Sequence, residues 1–128
     1  MRILGIGVDI IENKRIGKSI KNSKFKNRIY TSKELAQSSL IKNKISYFSK
    51  RFAAKEAFAK AIGTGFRKNL NFKDIEIIND KMGKPYYKIT SKITKFVKKK
   101  FNVTKFNCFL SISDETDYST AFTIIQSL

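Results

Sequence analysis

The chain contains no histidine. That absence removes zinc sites of the usual kind, and with them nucleophilic catalysis of the Ser-His type. Cysteine is nearly as scarce. Cys108 stands alone, so no internal disulfide can form, and within Phe106-Asn-Cys-Phe-Leu110 it reads as a small buried filler rather than a nucleophile. No run approaches the roughly 18 apolar residues of a membrane span, so no membrane contact is expected. The opening Met1-Arg-Ile-Leu-Gly-Ile-Gly-Val-Asp9 turns acidic after a short apolar run and does not read as a secretory signal. A cytoplasmic location is the expectation. The phosphate-loop pattern of glycine, four residues and Gly-Lys-Ser/Thr is also missing.

Acids are few. Ten Asp and Glu stand against 27 Lys and Arg, a formal net charge of +17. Such a charge invites a nucleic-acid reading. Part of it is compositional, because Lys (22), Ile (18), Phe (11) and Asn (9) make up nearly half of the chain and all have A/T-rich codons. Lysine outnumbers arginine 22 to 5, the wrong balance for planar recognition of bases or bidentate phosphates. What survives the discount is an expectation of anionic partners. With 128 residues and 41% hydrophobic content, a single domain spanning residues 1–128 can bury a real core.

The chain is organised around Arg51-Phe-Ala-Ala-Lys-Glu-Ala-Phe-Ala-Lys-Ala-Ile-Gly-Thr-Gly65. Ala54, Ala57, Phe58, Ala61 and Ile62 recur at three- and four-residue spacing, which predicts a helix from about residue 45 to 62. Gly63 and Gly65 end it, since glycine enters the left-handed region without cost. Glu56 and Lys60 stack four apart on one face, as do Arg51 and Lys55. An ordinary surface ion pair would explain the spacing of Glu56 and Lys60. The small and apolar neighbours Phe52, Ala53 and Ala57 argue instead for a partly sheltered Glu56 carboxylate, suited to metal-assisted phosphate chemistry.

Residues 3–12 read as a buried strand with two glycines, which thin it or let another backbone approach closely. The strand carries Asp9, costly in a core unless paired or bound to metal, and Glu12 at its exit. Asp9 and Glu56 are taken as the only acids in apolar surroundings. A hard-metal site of carboxylates suits Mg²⁺, which leaves room for water and phosphate.

Arg15, Lys18, Lys21, Lys24 and Arg28 recur every three or four residues, forming one cationic helical stripe bent near Asn22-Ser23. The stripe is either an exposed lysine-rich face or a docking face for an acidic partner. Thr31-Ser-Lys-Glu34 is a capping box opening a short helix through Leu35 and Leu40. Residues 66–71 form a basic loop. Residues 72–78 read as a strand, 79–85 as a turn and 85–89 as the returning strand of a hairpin. Residues 91–100 form a helix with Ile93, Phe96 and Val97 inward. Two closing strands, 105–113 and 118–126, flank an acidic turn at 114–117.

Taken together, Gly5-Ile-Gly-Val-Asp9-Ile-Ile-Glu12, the Arg51-to-Gly65 helix and Asn79-Asp-Lys-Met-Gly-Lys-Pro85 resemble the holo-acyl-carrier-protein synthase family of 4′-phosphopantetheinyl transferases. The resemblance implies an α+β fold, with an antiparallel sheet packed on a long central helix and a homotrimer with active sites at subunit interfaces. It implies that phosphopantetheine moves from coenzyme A to a serine of acyl carrier protein, leaving 3′,5′-ADP, in fatty acid biosynthesis. Asp9 and Glu56 then resemble the Mg²⁺ ligands, and Lys60 the lysine that meets the pyrophosphate. Arg51 and the Gly63-Thr64-Gly65 turn resemble parts of the nucleotide pocket, and Gly83-Lys84-Pro85 the segment lining its adenine side. The stripe from Arg15 to Arg28 resembles the helix that docks the acidic carrier protein. The serine proton needs an acceptor, for which Glu56 and a water on the metal are both open.

One departure stands out. The family's last motif reads Ser-x-Ser or Ser-x-Thr followed by His, whereas here it reads Ser111-Ile-Ser113-Asp114. That substitution encourages a reading as an inactive relative retained for assembly. A basic nucleic-acid-binding module is the remaining alternative. It leaves Asp9 and Glu56 unexplained and lacks aromatics interleaved with the basic stripe.

Overall fold

The computed structural model describes residues 1–67 and 69–128. Strand β1 (Arg2–Glu12) leads directly into two short helices, α1 (Asn13–Ser19) and α2 (Ser23–Ile29). They were expected to be one bent helix. Asn22 separates them, because its carboxamide oxygen accepts from the backbone N–H groups of Lys24 and Phe25 and starts a second helix.

Helix α3 (Ser32–Ser38) opens with the expected reciprocal cap between Thr31 and Glu34, but stops short of Leu40, which is exposed. Helix α4 (Lys44–Ile62) follows, capped at its start by Asn43. Gly63 ends it with φ 90°, its N–H donating to the Ala59 carbonyl.

The segment expected to be a strand from residue 72 begins as a short 3₁₀ turn (Phe72–Asp74), and only β2 (Glu76–Asn79) is extended. Asp74 folds back to accept from the Asn71 N–H, which holds the turn. Strand β3 (Pro85–Lys88) pairs antiparallel with β2, with Asn79 opposite Pro85. Helix α5 (Ser91–Phe101) and strands β4 (Phe106–Asp114) and β5 (Tyr118–Ser127) complete the chain. Ile93 and Val97 of α5 are buried, and Phe96 is half-buried. Lys68, within the expected basic loop of residues 66–71, lies outside the described residues.

Strands β1, β5 and β4 form one antiparallel sheet in that order, with β5 in the middle. One face of this sheet packs on α4. A Cβ built on Gly5 would lie 1.9 Å from the Ala61 carbonyl oxygen, and one on Gly7 would lie 1.9 Å from that of Ala57. The two glycines therefore serve the approach of another backbone, and that backbone is the helix. Ala53, Ala54, Ala57 and Ala61 are buried and small, so they permit the same contact from the helix side.

The opposite flank of α4 is aromatic. Phe52 stacks between Phe25 and Phe72, and Tyr30 lies against Phe48 at 4.6 Å between ring centroids. Tyr87 ties the hairpin to this core, its hydroxyl sharing hydrogen bonds of 2.6 Å with the Ala54 carbonyl and Thr123. Among the described residues, no helix is long and apolar enough to cross a membrane.

Candidate active site

Because β1 alternates, Gly7, Asp9 and Ile11 point towards α4 while Ile6, Val8 and Ile10 point away. The glycines bring strand and helix so close that the Asp9 side chain lies over the last turns of α4. Lys60 reaches back across the gap. Its Nζ donates to Asp9 Oδ1 at 3.0 Å and to the Val8 carbonyl at 3.0 Å.

Lys60 thus pairs with Asp9, not with Glu56 one turn earlier as helical spacing would allow. Glu56 is half-buried and has no hydrogen-bond donor among the described residues. Burial first, and then the charge of Asp9, hold its carboxyl above the ordinary value, against the attraction of Lys60 and Arg15. Asp9 is likewise raised by burial, despite the bond and charge of Lys60 and the charge of Arg15. Two carboxylates and a lysine therefore converge in a partly dry cleft, with Arg15 of α1 at its edge.

The expectation that Asp9 and Glu56 are the only acids in apolar surroundings is overturned. Glu34 is 2% exposed and Glu76 8% exposed, both more deeply buried than either. Glu34 read as a local cap because the Thr-x-x-Glu spacing accounts for it fully. Its remaining partners come from distant segments, which no spacing reveals. Lys55 is also inside, paired with Glu34 at 2.7 Å. Arg51 and Lys55 do share a helix face, but that face is turned inward rather than to solvent.

Arg51 lies about 140° around α4 from Glu56, since five residues turn an α-helix by that angle. It is 6% exposed, its guanidinium sits 3.8 Å over the Tyr47 ring, and its Nη2 donates to Asn79 Oδ1 at 2.7 Å. Among the described residues its buried Nε has no hydrogen-bond partner. This guanidinium borders a cavity of about 330 Å³ together with Ser46, Tyr47, Lys50, Asn79 and Gly83. Gly83 forms the hairpin turn at φ 86°, and Lys84 and Pro85 follow it. Sequence reasoning named Arg51 and Gly83, quoted Asn79 only as the first residue of the Asn79-to-Pro85 motif, and missed Tyr47 and Lys50, which carry no motif of their own.

The Gly63-Thr64-Gly65 turn is not at that cavity. It lies about 18 Å along the helix axis from Arg51, twelve residues at 1.5 Å each, and Thr64 borders a different cavity with Lys92, Lys95 and Phe96. Within one chain the predicted site residues therefore fall into two half-sites. One holds Asp9, Glu56 and Lys60, near the glycine turn, and the other holds Arg51 and Gly83. Arg15, Lys18, Lys21, Lys24 and Arg28 are all exposed, spread over α1, α2 and the link between them. Asp114 turns to the first turn of α4, where its Oδ2 accepts from Ser46 Oγ at 3.0 Å.

A family model described as the 4′-phosphopantetheinyl transferase superfamily matches residues 5–123. The chain belongs to that superfamily. The holo-[acyl-carrier-protein] synthase of Pelagibacter ubique is 63% identical to it over 126 residues, 98% of each chain. Among solved structures, the holo-[acyl-carrier-protein] synthase of Neisseria meningitidis superposes with a TM-score of 0.88 at 38% identity, covering 98% of this chain and 99% of that one. The synthase of Bacillus anthracis, solved in complex with CoA (3′,5′-ADP), gives a TM-score of 0.83 at 36% identity over all of both chains. The superfamily's α+β architecture, an antiparallel sheet laid on a long helix, is the one described above.

Proposed function

We infer that the chain transfers 4′-phosphopantetheine from coenzyme A to a serine of apo acyl carrier protein, releasing 3′,5′-ADP, as an Mg²⁺-dependent cytoplasmic homotrimer. The observation that carries this reading is the Asp9–Glu56–Lys60 constellation. It sits in the cleft that Gly5 and Gly7 create between β1 and α4. The relatives named above are holo-[acyl-carrier-protein] synthases, and one of them was solved with the nucleotide product of this reaction.

The donor set fits magnesium. Asp9 and Glu56 are half-buried carboxylates that repel each other and lack enough cationic neighbours to quiet both, a pair suited to a hard ion bound by few protein oxygens. They would hold the ion, which when bound supplies a Lewis acid against the pyrophosphate. Lys60, half exposed and fixed by two hydrogen bonds, places an ammonium where negative charge gathers on the leaving nucleotide.

Arg51, with its unspent Nε–H, and the Gly83 turn supply a second, cationic pocket for the nucleotide, with Lys84 and Pro85 flanking it. The two half-sites lie on different faces of α4, so within a single chain the helix stands between them. Two copies bring them together if the half-site of one meets the complementary half-site of the next. An uncovered surface is ready for that contact. The sheet face away from α4 exposes Ile6, Val8 and Ile10 of β1 beside Phe122 of β5 and Phe109 of β4. Such a contiguous apolar face marks a protein–protein contact. The exposed cations of α1 and α2 then remain to meet an acidic carrier protein. The nucleic-acid alternative gives the sheltered carboxylates no role.

The test is the mass of apo acyl carrier protein incubated with the chain, coenzyme A and Mg²⁺. A gain of one phosphopantetheine is expected; unchanged mass rejects the reading. Glu56→Gln should still fold and lose at least about 100-fold in transfer, roughly 2.7 kcal/mol in the barrier. Near-normal turnover of that variant would remove Glu56 from the metal site.

A further inference from the structure

The most deeply buried charges of the molecule have no part in the chemistry described above. Lys55 is wholly inaccessible, and its three N–H groups are all taken: by Glu34 Oε1 at 2.7 Å, the Ile75 carbonyl at 2.6 Å and the Phe72 carbonyl at 3.1 Å. Glu34 is as fully used. Its Oε1 also accepts from the Thr31 N–H at 3.0 Å, its Oε2 accepts from the Ile77 N–H at 3.0 Å, and its carbonyl accepts from Tyr47 Oη at 2.6 Å. One ion pair thus joins α3, α4, the 3₁₀ turn and β2.

Two of these connections, to Ile77 and to Tyr47, lead to the second pocket. Ile77 is two residues before Asn79 on the same strand. Asn79 accepts from Arg51 through Oδ1 and donates to the Gly83 carbonyl through Nδ2 at 2.9 Å. Tyr47, held by Glu34, is the ring on which the Arg51 guanidinium lies. Glu34 therefore steadies Arg51 from both sides: its backbone carbonyl holds the stacking partner, and its carboxylate, paired with Lys55, holds the strand that carries the hydrogen-bond acceptor. Core stability alone does not require this geometry, because a buried ion pair is no more stabilising than apolar residues of the same volume.

We propose that Glu34, Lys55 and Asn79 are positioning residues that hold the Arg51 guanidinium and the Gly83 turn in register to receive the nucleotide of coenzyme A. The proposal rests on the reading of that pocket as the nucleotide half-site. Lys55 is sealed in the core, and Glu34, 2% exposed, borders only a cavity of about 50 Å³, too small for a nucleotide. Their influence on coenzyme A passes through Asn79 and Tyr47.

Two variants test it, with steady-state kinetics and calorimetric binding of 3′,5′-ADP as readouts. Glu34→Gln keeps the side-chain shape but cannot accept from both Thr31 and Ile77 while facing Lys55. Asn79→Ala leaves the core pair intact and cuts only the final link, at an exposed strand end. Each is expected to raise the KM for coenzyme A, and the dissociation constant of 3′,5′-ADP, by about tenfold or more. The KM for carrier protein and kcat should stay within about twofold.

An unchanged coenzyme A KM in Asn79→Ala overturns the proposal, whatever Glu34→Gln does. So does a fall in kcat at constant coenzyme A affinity in a folded Glu34→Gln. If Glu34→Gln does not fold, Asn79→Ala decides alone. Arg51→Gln separates the two readings. If it too leaves coenzyme A binding unchanged, the half-site reading fails; if it weakens binding while both other variants do not, only the positioning fails.

Discussion

Gly7→Ala is the sharpest test of how the fold makes the site. The added Cβ would stand 1.9 Å from the Ala57 carbonyl oxygen and 2.7 Å from the Ala61 nitrogen. Both obstacles are helix backbone, so no rotamer change relieves the clash. An ordinary contact needs about 3.4 Å, so strand and helix must part locally by about 1.5 Å. Overpacking of this kind costs about 1–3 kcal/mol when side chains absorb it. With rigid backbone on both sides, about 3 kcal/mol or more is expected, a large fraction of the 5–15 kcal/mol that holds a domain together.

The same displacement acts on function. Asp9 is two residues along the moved strand, and a 3.0 Å bond to Lys60 does not survive an opening of that size. A misplacement of about 1 Å at a reacting centre is worth about 100-fold in rate. Urea unfolding should therefore show the midpoint falling by about 1–3 M at an m-value near 1–3 kcal/mol/M. Transfer should fall by about two orders of magnitude even where the variant remains folded. Gly17→Ala is the control, because its Cβ meets only the flexible end of Ile45, at 3.0 Å. Within helix α1, alanine also regains up to about 1 kcal/mol of helix propensity, so that variant should be neutral or slightly stabilised. A Gly7→Ala protein within about 1 kcal/mol of its parent would refute the account of the strand–helix contact.

Three further outcomes follow from particular residues. Lys21→Glu and Lys24→Glu should raise the KM for carrier protein, most at low salt, and leave that for coenzyme A nearly unchanged; parallel movement of both constants rejects a dedicated docking face. Asp114→Ala should change transfer by less than about tenfold, under roughly 1.4 kcal/mol. Its carboxylate is engaged with Ser46 at the first turn of α4, about 15 Å along the helix from Glu56 in the same chain. A loss like that of Glu56→Gln, rescued by raised Mg²⁺, would contradict this. Burial pushes the Cys108 thiol up to about 12, so at pH 8 about one molecule in ten thousand carries the thiolate. The native protein should resist a thiol-specific reagent at that pH while the urea-unfolded chain reacts at once; rapid native labelling would show that Cys108 is not held as described.

Local pattern determined much of this protein. The apolar period through residues 45–62, the glycine stop and the Thr-x-x-Glu cap are interactions within a few residues, and helix α4 and the α3 cap form where those signals stand. Asp9, Glu56 and Lys60 were legible as a group because an acid in a strand and an acid in an alanine-rich helix turn are costly unless used. Only the tertiary structure decided which charges meet. Lys60 crosses to Asp9 rather than pairing along its own helix, and Lys55 turns inward to a glutamate 21 residues away whose local cap role gives no sign of that partner. The strand expected from residue 72 begins as a 3₁₀ turn whose Phe72 and Ile75 carbonyls face that buried lysine. The partition of the site has the same origin. Arg51 and the Gly63–Gly65 turn are neighbours in one sequence motif, yet the rise and turn of the helix between them set them about 18 Å apart. Spacing along a chain reports which side chains share a helix face; which of them share a cavity depends on where other segments pack.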